Sequence, residues 1–225
     1  MQLKISIETL ASSVNKLPFL LIPGVLAITL LSSCGSGNSK SSDWPEYLGG
    51  PDRNHYSALT QIDSSNVKDL AVAWEYHAGD SGQVQCNPII VNNILYAVTA
   101  SVEPFALDAA TGKELWRVRD TSKTTWYGTS RGLTYWEDVN DKRILFTKES
   151  WLYAVDALTG KPVPTFGEGG RVSLGTGLGP MGSKRFVISN TPGTVYEDLI
   201  IMPIRVSEST DALPGNIQAF NIRTG

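Results

Sequence analysis

The sequence predicts an all-β protein, a β-propeller fragment with about three four-stranded blades in an incomplete ring. The main observation is a turn motif that occurs three times with nearly the same residues, ending at Gly112, Gly160 and Gly225. The copies are spaced close to or just above the roughly 40–50 residues of one propeller blade. The composition agrees, because 6 Trp, 8 Tyr, 21 Gly and 12 Pro suit short strands and tight turns. Since the third copy ends on the last residue, we expect the chain to be part of a longer protein.

Charge and composition restrict the possible function classes. The chain has 225 residues, 41% of them hydrophobic, and a net charge of -3, values typical of a folded domain. Because there is no basic excess, we expect no nucleic-acid partner.

The residues before the repeats differ in character from the rest of the chain. Lys4 and Lys16 precede an apolar run over residues 17–31, which is shorter than the ~20 apolar residues that span a bilayer. The run leads into Leu-Ser-Ser-Cys34, which resembles the lipobox of bacterial lipoproteins, so residues 1–34 are predicted to be a signal peptide with lipidation at Cys34. A simple secretory signal, or an N-terminal anchor with a chance cysteine, is the alternative. On the lipoprotein hypothesis, the protein is exported and lipid-anchored on the periplasmic or outer face of a bacterial membrane.

The domain boundaries follow from this division. Polar residues rich in Gly and Ser predict a flexible tether over 35–43, and the propeller fragment is expected over 44–225. Cys86, the second of the 2 cysteines, is expected to be a small buried apolar side chain.

The first repeat divides into four predicted strands. The first two, over 88–91 and 94–98, are joined by Asn92-Asn93, a pair that tolerates the positive φ of a tight hairpin. The other two, around 105–107 and over 113–117, flank the first repeated turn. In that turn the Asp side chain can accept hydrogen bonds from the backbone that follows, and the closing Gly can adopt a left-handed conformation.

The second and third repeats follow the same plan. The second is predicted to contain four strands again, with a polar turn over 137–142, and the third is missing its last strand. An unbroken apolar run such as 199–202 indicates a strand covered on both faces. Residues 63–70 could form one short capped helix. The strands identified in these two repeats lie at 133–136, 143–147, 151–155, 194–196, 199–202 and 217–220.

Three stretches beyond the turns carry a family resemblance. They are an opening segment with Trp44-Pro-Glu-Tyr and Asn54-His-Tyr-Ser, the run Ser-Arg131-Gly-Leu-Thr-Tyr-Trp, and Arg205-Val-Ser-Glu followed by 214–220. Together with the turns, they resemble the quinoprotein dehydrogenases, which bind pyrroloquinoline quinone (PQQ) on the axis of an eight-bladed propeller. The resemblance extends from about residue 44 to the last residue. It implies a PQQ-type propeller, of which this chain would supply about three blades.

The resemblance also implies a set of site residues. PQQ is a planar tricarboxylate with an ortho-quinone, so its site needs cations that pair with carboxylates, and arginine supplies a bidentate one. The resemblance gives this role to Arg131, places Arg205 and Ser207 against the quinone, and makes Glu208 an oxygen ligand of Ca²⁺. Another divalent or a lanthanide ion could take the place of calcium. A structural arginine and a solvated glutamate are the alternatives for Arg131 and Glu208.

Two further residues align with cofactor contacts, and one family feature is absent. Gln85 falls where methanol-oxidising relatives carry a carboxylate, and Ser189 aligns with a hydroxyl that contacts the cofactor. The vicinal cysteines of methanol dehydrogenases are replaced by Thr129-Ser130, which favours the sugar-oxidising side of the family. Tyr127 stands near a histidine of the membrane glucose dehydrogenase and leaves the substrate open. The catalytic base is expected beyond residue 225.

The leading hypothesis is therefore part of a PQQ-dependent dehydrogenase that oxidises a sugar or alcohol hydroxyl. The resemblance implies a membrane quinone or a cytochrome as electron acceptor. A non-catalytic propeller lipoprotein that acts as an outer-membrane assembly scaffold is the alternative from another class. A sugar-binding or sensory propeller is a third, suggested by the 6 tryptophans, although Trp116 and Trp151 are expected to pack between blades.

Overall fold

The protein folds into two four-stranded antiparallel β-sheets and a third, divided sheet of two and three strands, which confirms the all-β propeller prediction. A computed structural model describes residues 43–119 and 128–225. The predicted signal peptide, Cys34, residues 35–42 of the tether and Tyr127 lie outside the described residues. The only helical element in the described ranges is a 3-10 helix, Val67–Asp69, within the segment predicted to be a short helix. No helix there has the length and apolar character that crossing a bilayer requires.

The first sheet is a four-stranded meander. Its strands are β1 (Ile89–Val91), β2 (Ile94–Val98), β3 (Pro104–Asp108) and β4 (Glu114–Arg117), paired in chain order. Asn92 and Asn93 both have positive φ, 51° and 64°, so the predicted hairpin is confirmed.

The second sheet has the same order but differs from the prediction in the length of one turn. Its strands are β5 (Thr134–Asp138), β6 (Asp141–Lys148), β7 (Trp151–Asp156) and β8 (Arg171–Ser173). The predicted polar turn over 137–142 was wrong in length, because Asp138 pairs with Asp141 and the strands extend almost to the tip. The fourth strand does not follow the repeated turn directly, since only a single bridge joins Val155 to Pro162 before the chain reaches β8.

The third sheet is split into two parts. The strands β9 (Val187–Ile188) and β12 (Arg205–Val206) pair with each other, and β10 (Thr194–Tyr196), β11 (Leu199–Met202) and β13 (Gln218–Asn221) form a separate three-stranded sheet. The expectation that the run 199–202 is covered on both faces was wrong. Ile200 and Met202 are buried, whereas Leu199 is 39% exposed.

The three repeated turns have the same hydrogen bonds. Oδ1 of Asp108 accepts from the backbone and hydroxyl of Thr111 at 2.8 and 2.7 Å, and Oδ1 of Asp156 repeats both distances with Thr159. Asn221 takes the same role with Thr224 in the third copy. Each turn closes on a glycine with φ between 68° and 85°. The sequence repeat is therefore also a structural repeat.

Apolar side chains hold the sheets together through both faces of the second sheet. On β6, Ile144 and Phe146 pack toward the first sheet, whereas Leu145 packs toward the third. This alternation follows from the two-residue period of a strand. The second sheet is thus the middle layer of the described propeller.

Tryptophan side chains connect consecutive repeats. Trp116 of β4 donates from Nε1 to the carbonyl of Ala157 at 2.9 Å and covers Gly160 of the next turn. Trp74 likewise donates to Ala109 at 3.2 Å and covers Gly112. The packing role expected for Trp116 is confirmed, but Trp151 stacks with Arg171 of its own sheet, at 4.3 Å from the ring centroid.

Candidate cofactor-binding site

A polar cleft lies at the beginning of the first strands of the sheets. It has a volume of about 490 Å³, within the range of roughly 300–1,000 Å³ that is usual for small-molecule sites. Segments that precede β1 and β5 and that follow β9 contribute to it, as does the start of β12. Its lining residues are Gln83, Gln85, Thr129, Arg131, Ser189, Asn190, Thr191, Pro203, Ile204 and Arg205.

Main-chain hydrogen bonds hold these segments side by side. The N–H of Asn87 donates to the carbonyl of Arg131 at 2.9 Å, and the N–H of Arg131 donates to the carbonyl of Asn190 at 2.8 Å. Gly132 makes the first approach possible, because a Cβ atom there would lie 3.0 Å from the carbonyl oxygen of Asn87. The backbone of Arg131 is thus fixed on both sides.

Arg131 extends from this fixed backbone with an exposed guanidinium. Its Nη1 lies 3.4 Å from the hydroxyl of Thr191, a weak contact at the long end of hydrogen-bond distance. Within residues 43–119 and 128–225 it forms no ion pair with a carboxylate. A ligand carboxylate could therefore pair with it without displacing an internal partner.

Arg205 provides the second cation of the cleft. It is exposed at the start of β12, where it pairs with Ile188, and its guanidinium lies 5.9 Å from the ring centroid of Phe186. No described carboxylate forms an ion pair with it. The cleft thus holds two positive charges and no described acidic residue in its lining.

Ser189 and Asn190 supply polar groups between the two arginines. The buried Ser189 donates from Oγ to the carbonyl of Thr191 at 3.0 Å, and its own carbonyl accepts from Thr147 at 2.7 Å. Asn190 donates from Nδ2 to the hydroxyl of Thr129 at 2.8 Å. Its Oδ1 is buried without a hydrogen-bond partner. Such an atom is costly unless a ligand or water satisfies it.

Gln85 also lies in the cleft, where its side chain is exposed. The neighbouring Cys86 is mostly buried and packs against apolar side chains of the first sheet. Burial raises the pKa of its thiol, so the expected role as an apolar side chain fits.

Two of the predicted site residues do not line the cleft. Ser207 shares a hydrogen bond of 2.7 Å with Ser209, and Glu208 is exposed. In the part of the chain that the structure describes, no group of three His, Cys, Asp or Glu side chains could hold a metal ion. The metal-binding role of Glu208 therefore stays a prediction.

The cleft residues that sequence reasoning missed are Gln83, Thr129, Asn190, Thr191, Pro203 and Ile204. They lie one or two residues from those that were identified, so the chain on either side of Gln85, Arg131, Ser189 and Arg205 was the available signal. Their grouping depends on the packing of three sheets, which the local sequence does not reveal.

The cleft residues fit a planar polycarboxylate such as PQQ. Two guanidinium groups without carboxylate partners match anionic groups, and the unpaired Oδ1 of Asn190 requires a donor. A propeller with an anion-accepting cleft at the first strands of its sheets is the class of protein that this fold and site define.

Comparison with known proteins assigns the family. Residues 44–225 match the family described as PQQ: glucose/ethanol/alcohol dehydrogenase, beta-propeller domain, and the chain belongs to this family. Quinoprotein glucose dehydrogenase A of Acinetobacter calcoaceticus is 31% identical over 82% of this chain and 27% of its own length. The glycerol dehydrogenase large subunit of Gluconobacter thailandicus is also 31% identical, over 84% of this chain and 28% of its own length.

Solved structures agree on the fold. The quinohemoprotein alcohol dehydrogenase of Comamonas testosteroni superposes with a TM-score of 0.66 at 24% identity, covering 84% of this chain and 27% of that one. The chain spans about a quarter of the length of the curated relatives it matches.

Proposed function

We propose that this chain is part of a PQQ-dependent dehydrogenase that oxidises a CH–OH group of a sugar or alcohol. Family membership supports this proposal over an assembly scaffold. The observation that carries it is that one cleft is lined by both Arg131 and Arg205, whose guanidinium groups have no carboxylate partner. The same cleft contains the buried Oδ1 of Asn190, which has no hydrogen-bond partner.

The described residues would bind and orient the cofactor. Arg131 is suited to a bidentate pair with a carboxylate, and two main-chain hydrogen bonds fix the backbone from which its side chain extends. Ser189 and Gln85 could add hydrogen bonds at the rim of the same cleft. Bound PQQ would supply the two-electron acceptor for the alcohol, chemistry that belongs to the cofactor. We assign no proton transfer to the described cleft, because its lining residues include no carboxylate or imidazole.

The finer parts of the proposal rest on the resemblance and the signal sequence. One is that Glu208 helps to bind Ca²⁺ or another divalent or lanthanide ion. Another is that a membrane quinone or a cytochrome accepts the electrons. Export and lipidation at Cys34 would anchor the protein to the periplasmic or outer face of a membrane.

Binding of PQQ to the intact protein tests the proposal. Equilibrium dialysis with PQQ and Ca²⁺ should show saturable binding, and Arg131→Gln should weaken it by about ten-fold or more, since a charge-assisted pair is lost. Arg171→Gln is the matched control, because Arg171 is an exposed arginine of the same sheet outside the cleft. No PQQ binding by the wild-type protein would instead favour the scaffold alternative. Equal affinities for Arg131→Gln and Arg171→Gln would remove Arg131 from the site.

A further inference from the structure

The residues before the 3-10 helix run along the first strands of all three sheets. Trp44 forms a two-way bridge with Ile90 of β1, in which each N–H donates to the other's carbonyl at 2.8 and 2.9 Å. Ile89 and Val91 pair with β2, so Trp44 occupies the opposite edge of β1. The segment therefore adds a pairing partner to the free edge of that strand.

The same segment reaches the third sheet through Arg53. Nη2 of Arg53 donates to the hydroxyl of Thr194, the first residue of β10, at 2.6 Å. The guanidinium also lies 5.6 Å from the ring centroid of Tyr47 in the same segment. One side chain thus connects the segment to a strand more than a hundred residues away in sequence.

Between these two anchors the segment lies against the second sheet as well. Residues 45–47 and Arg53 face 133–135 and 193–195 across a hollow of about 50 Å³. That volume leaves room for little more than a water molecule or two. Here Thr134 of β5 donates to the carbonyl of Gly193 at 2.9 Å.

The segment has a fixed shape of its own. Main-chain hydrogen bonds from Gly49 to Glu46 and from Arg53 to Gly50 close two turns, and a third from His55 to Leu48 brings the two ends of this stretch together. Gly49 has a φ of 105° and lies against the ring of Trp44, where a Cβ atom would be 2.9 Å from the ring. A folded segment of this kind can transmit a constraint between its two ends.

The contacts of the segment lie next to the cleft. Leu133 is two residues beyond Arg131, and Gly193 is two residues beyond Thr191. At ~3.3 Å per residue of extended chain, the segment contacts these strands about 7 Å from the side chains that line the cleft. Its position on the strands is therefore coupled to the spacing of those side chains.

We propose that residues 43–55 form a strap that fixes the spacing of β1, β5 and β10, with Arg53 as a positioning residue for the cleft. The contacts described above join the strap to the strands and not to the cleft-lining residues, so we infer that it acts through the strands. Its effect on PQQ rests on the proposed function, whereas its effect on the cleft backbone does not.

The first test therefore uses hydrogen exchange in the intact protein without cofactor. Arg53→Ala should speed exchange of the Asn87 and Arg131 amides, which donate the two hydrogen bonds that align the cleft segments. Thr194→Val removes the acceptor with little change in volume and should have the same effect, and the double variant should add nothing more. Unchanged exchange at both amides would overturn the proposal, whatever the protein binds.

The second test measures PQQ affinity well below the unfolding temperature. Arg53→Ala should weaken binding by about three- to ten-fold, the effect of one hydrogen bond. Gly49→Ala should also weaken it, because Trp44 would be displaced, whereas Gly79→Ala is a control with positive φ and open space around its Cβ position. If Arg53→Ala lowers thermal stability but leaves PQQ affinity and amide exchange unchanged, the strap is only structural. If wild-type protein binds no PQQ but Arg53→Ala speeds exchange, the strap stands and the proposed function fails.

Discussion

Gly160 shows how one residue fixes the packing between two repeats. A Cβ atom at this position would lie 2.6 Å from the ring of Trp116, and the φ of 68° is left-handed. Two costs therefore oppose any other residue, one from the backbone and one from the tryptophan. They can be separated because Gly169 has a similar φ of 63° with nothing within 4 Å of its Cβ position.

We predict that Gly160→Ala destabilises the protein more than Gly169→Ala. The backbone cost, about 1–2 kcal/mol, applies to both variants. Displacement of the packed Trp116 should add about 1–3 kcal/mol for Gly160→Ala alone. Free energies of unfolding from denaturant titrations measure the difference. Equal losses in the two variants would mean that Trp116 moves aside without cost.

The side chain of Asn190 has an unsatisfied hydrogen-bond acceptor within the described protein. Its Nδ2 has a partner in Thr129, but its buried Oδ1 has none. Removing the side chain loses one hydrogen bond and also removes an unsatisfied acceptor, so the two effects oppose each other.

We therefore predict that Asn190→Ala changes the free energy of unfolding by no more than about 1 kcal/mol but weakens PQQ binding clearly. Thermal unfolding and equilibrium dialysis on the same preparation give the two values. A large loss of stability with unchanged affinity would show that Asn190 serves the fold and not the ligand.

The repeated turn is the element whose residues are best determined by sequence. Oδ1 of Asp108 accepts from the hydroxyl of Thr111 and from two backbone amides, and these hydrogen bonds lower its pKa. A carboxyl whose pKa is lowered on folding contributes stability above its usual pKa, and that contribution is lost as the pH falls through the folded value. In the third turn, Oδ1 of Asn221 accepts the corresponding hydrogen bonds from the backbone and hydroxyl of Thr224, and an Asn side chain does not titrate.

We predict that Asp108→Asn keeps the turn and removes its acid sensitivity. Its midpoint of unfolding should lie near that of the wild-type protein at neutral pH and fall less steeply as the pH drops below the usual aspartate pKa of about 3.9. Asp108→Ala is the comparison, because it should be less stable at every pH. Parallel pH profiles for wild type and Asp108→Asn would contradict the assignment.

Elements close to a turn could be predicted from sequence, and those far from one could not. The Asn92-Asn93 hairpin and the three closing glycines follow from local backbone chemistry. Four strands were expected in the second repeat, but the position of the fourth, β8, was not predicted. The residues after the second repeated turn include Pro162 and Pro164, which have no N–H to donate, so the chain makes one bridge and pairs again only at Arg171.

The residues of the candidate site could likewise be predicted only in part from the sequence. Gln85, Arg131, Ser189 and Arg205 were identified by resemblance and do meet in one cleft. Ser207 and Glu208 lie two and three residues after Arg205, yet neither lines the cleft. Thr129 and Asn190 were not predicted as site residues, because they are brought together by a hydrogen bond between residues 61 positions apart in sequence.

At the scale of the whole molecule, Arg143 connects the second sheet to the third. Its side chain is only 5% exposed, and Nη1 donates to the carbonyls of Ile222 at 2.9 Å and Arg223 at 2.7 Å. Its other nitrogens bond to Asp141, and the guanidinium lies 5.6 Å from the ring centroid of Trp136. A single cation thus satisfies two carbonyls of the third repeated turn from a strand of the preceding sheet.

Replacing Arg143 tests whether polar contacts between sheets add to the apolar packing. Arg143→Met keeps much of the side-chain volume but leaves both carbonyls and Asp141 without their donor, so we predict a loss of about 2–4 kcal/mol in the free energy of unfolding. Arg171→Met is the matched control, since Arg171 is an exposed arginine of the same sheet that also stacks on a tryptophan. Urea titrations of both variants decide the matter. If they lose the same stability, the buried apolar residues shared by the second and third sheets hold them together alone, and Arg143 only fills space at their border.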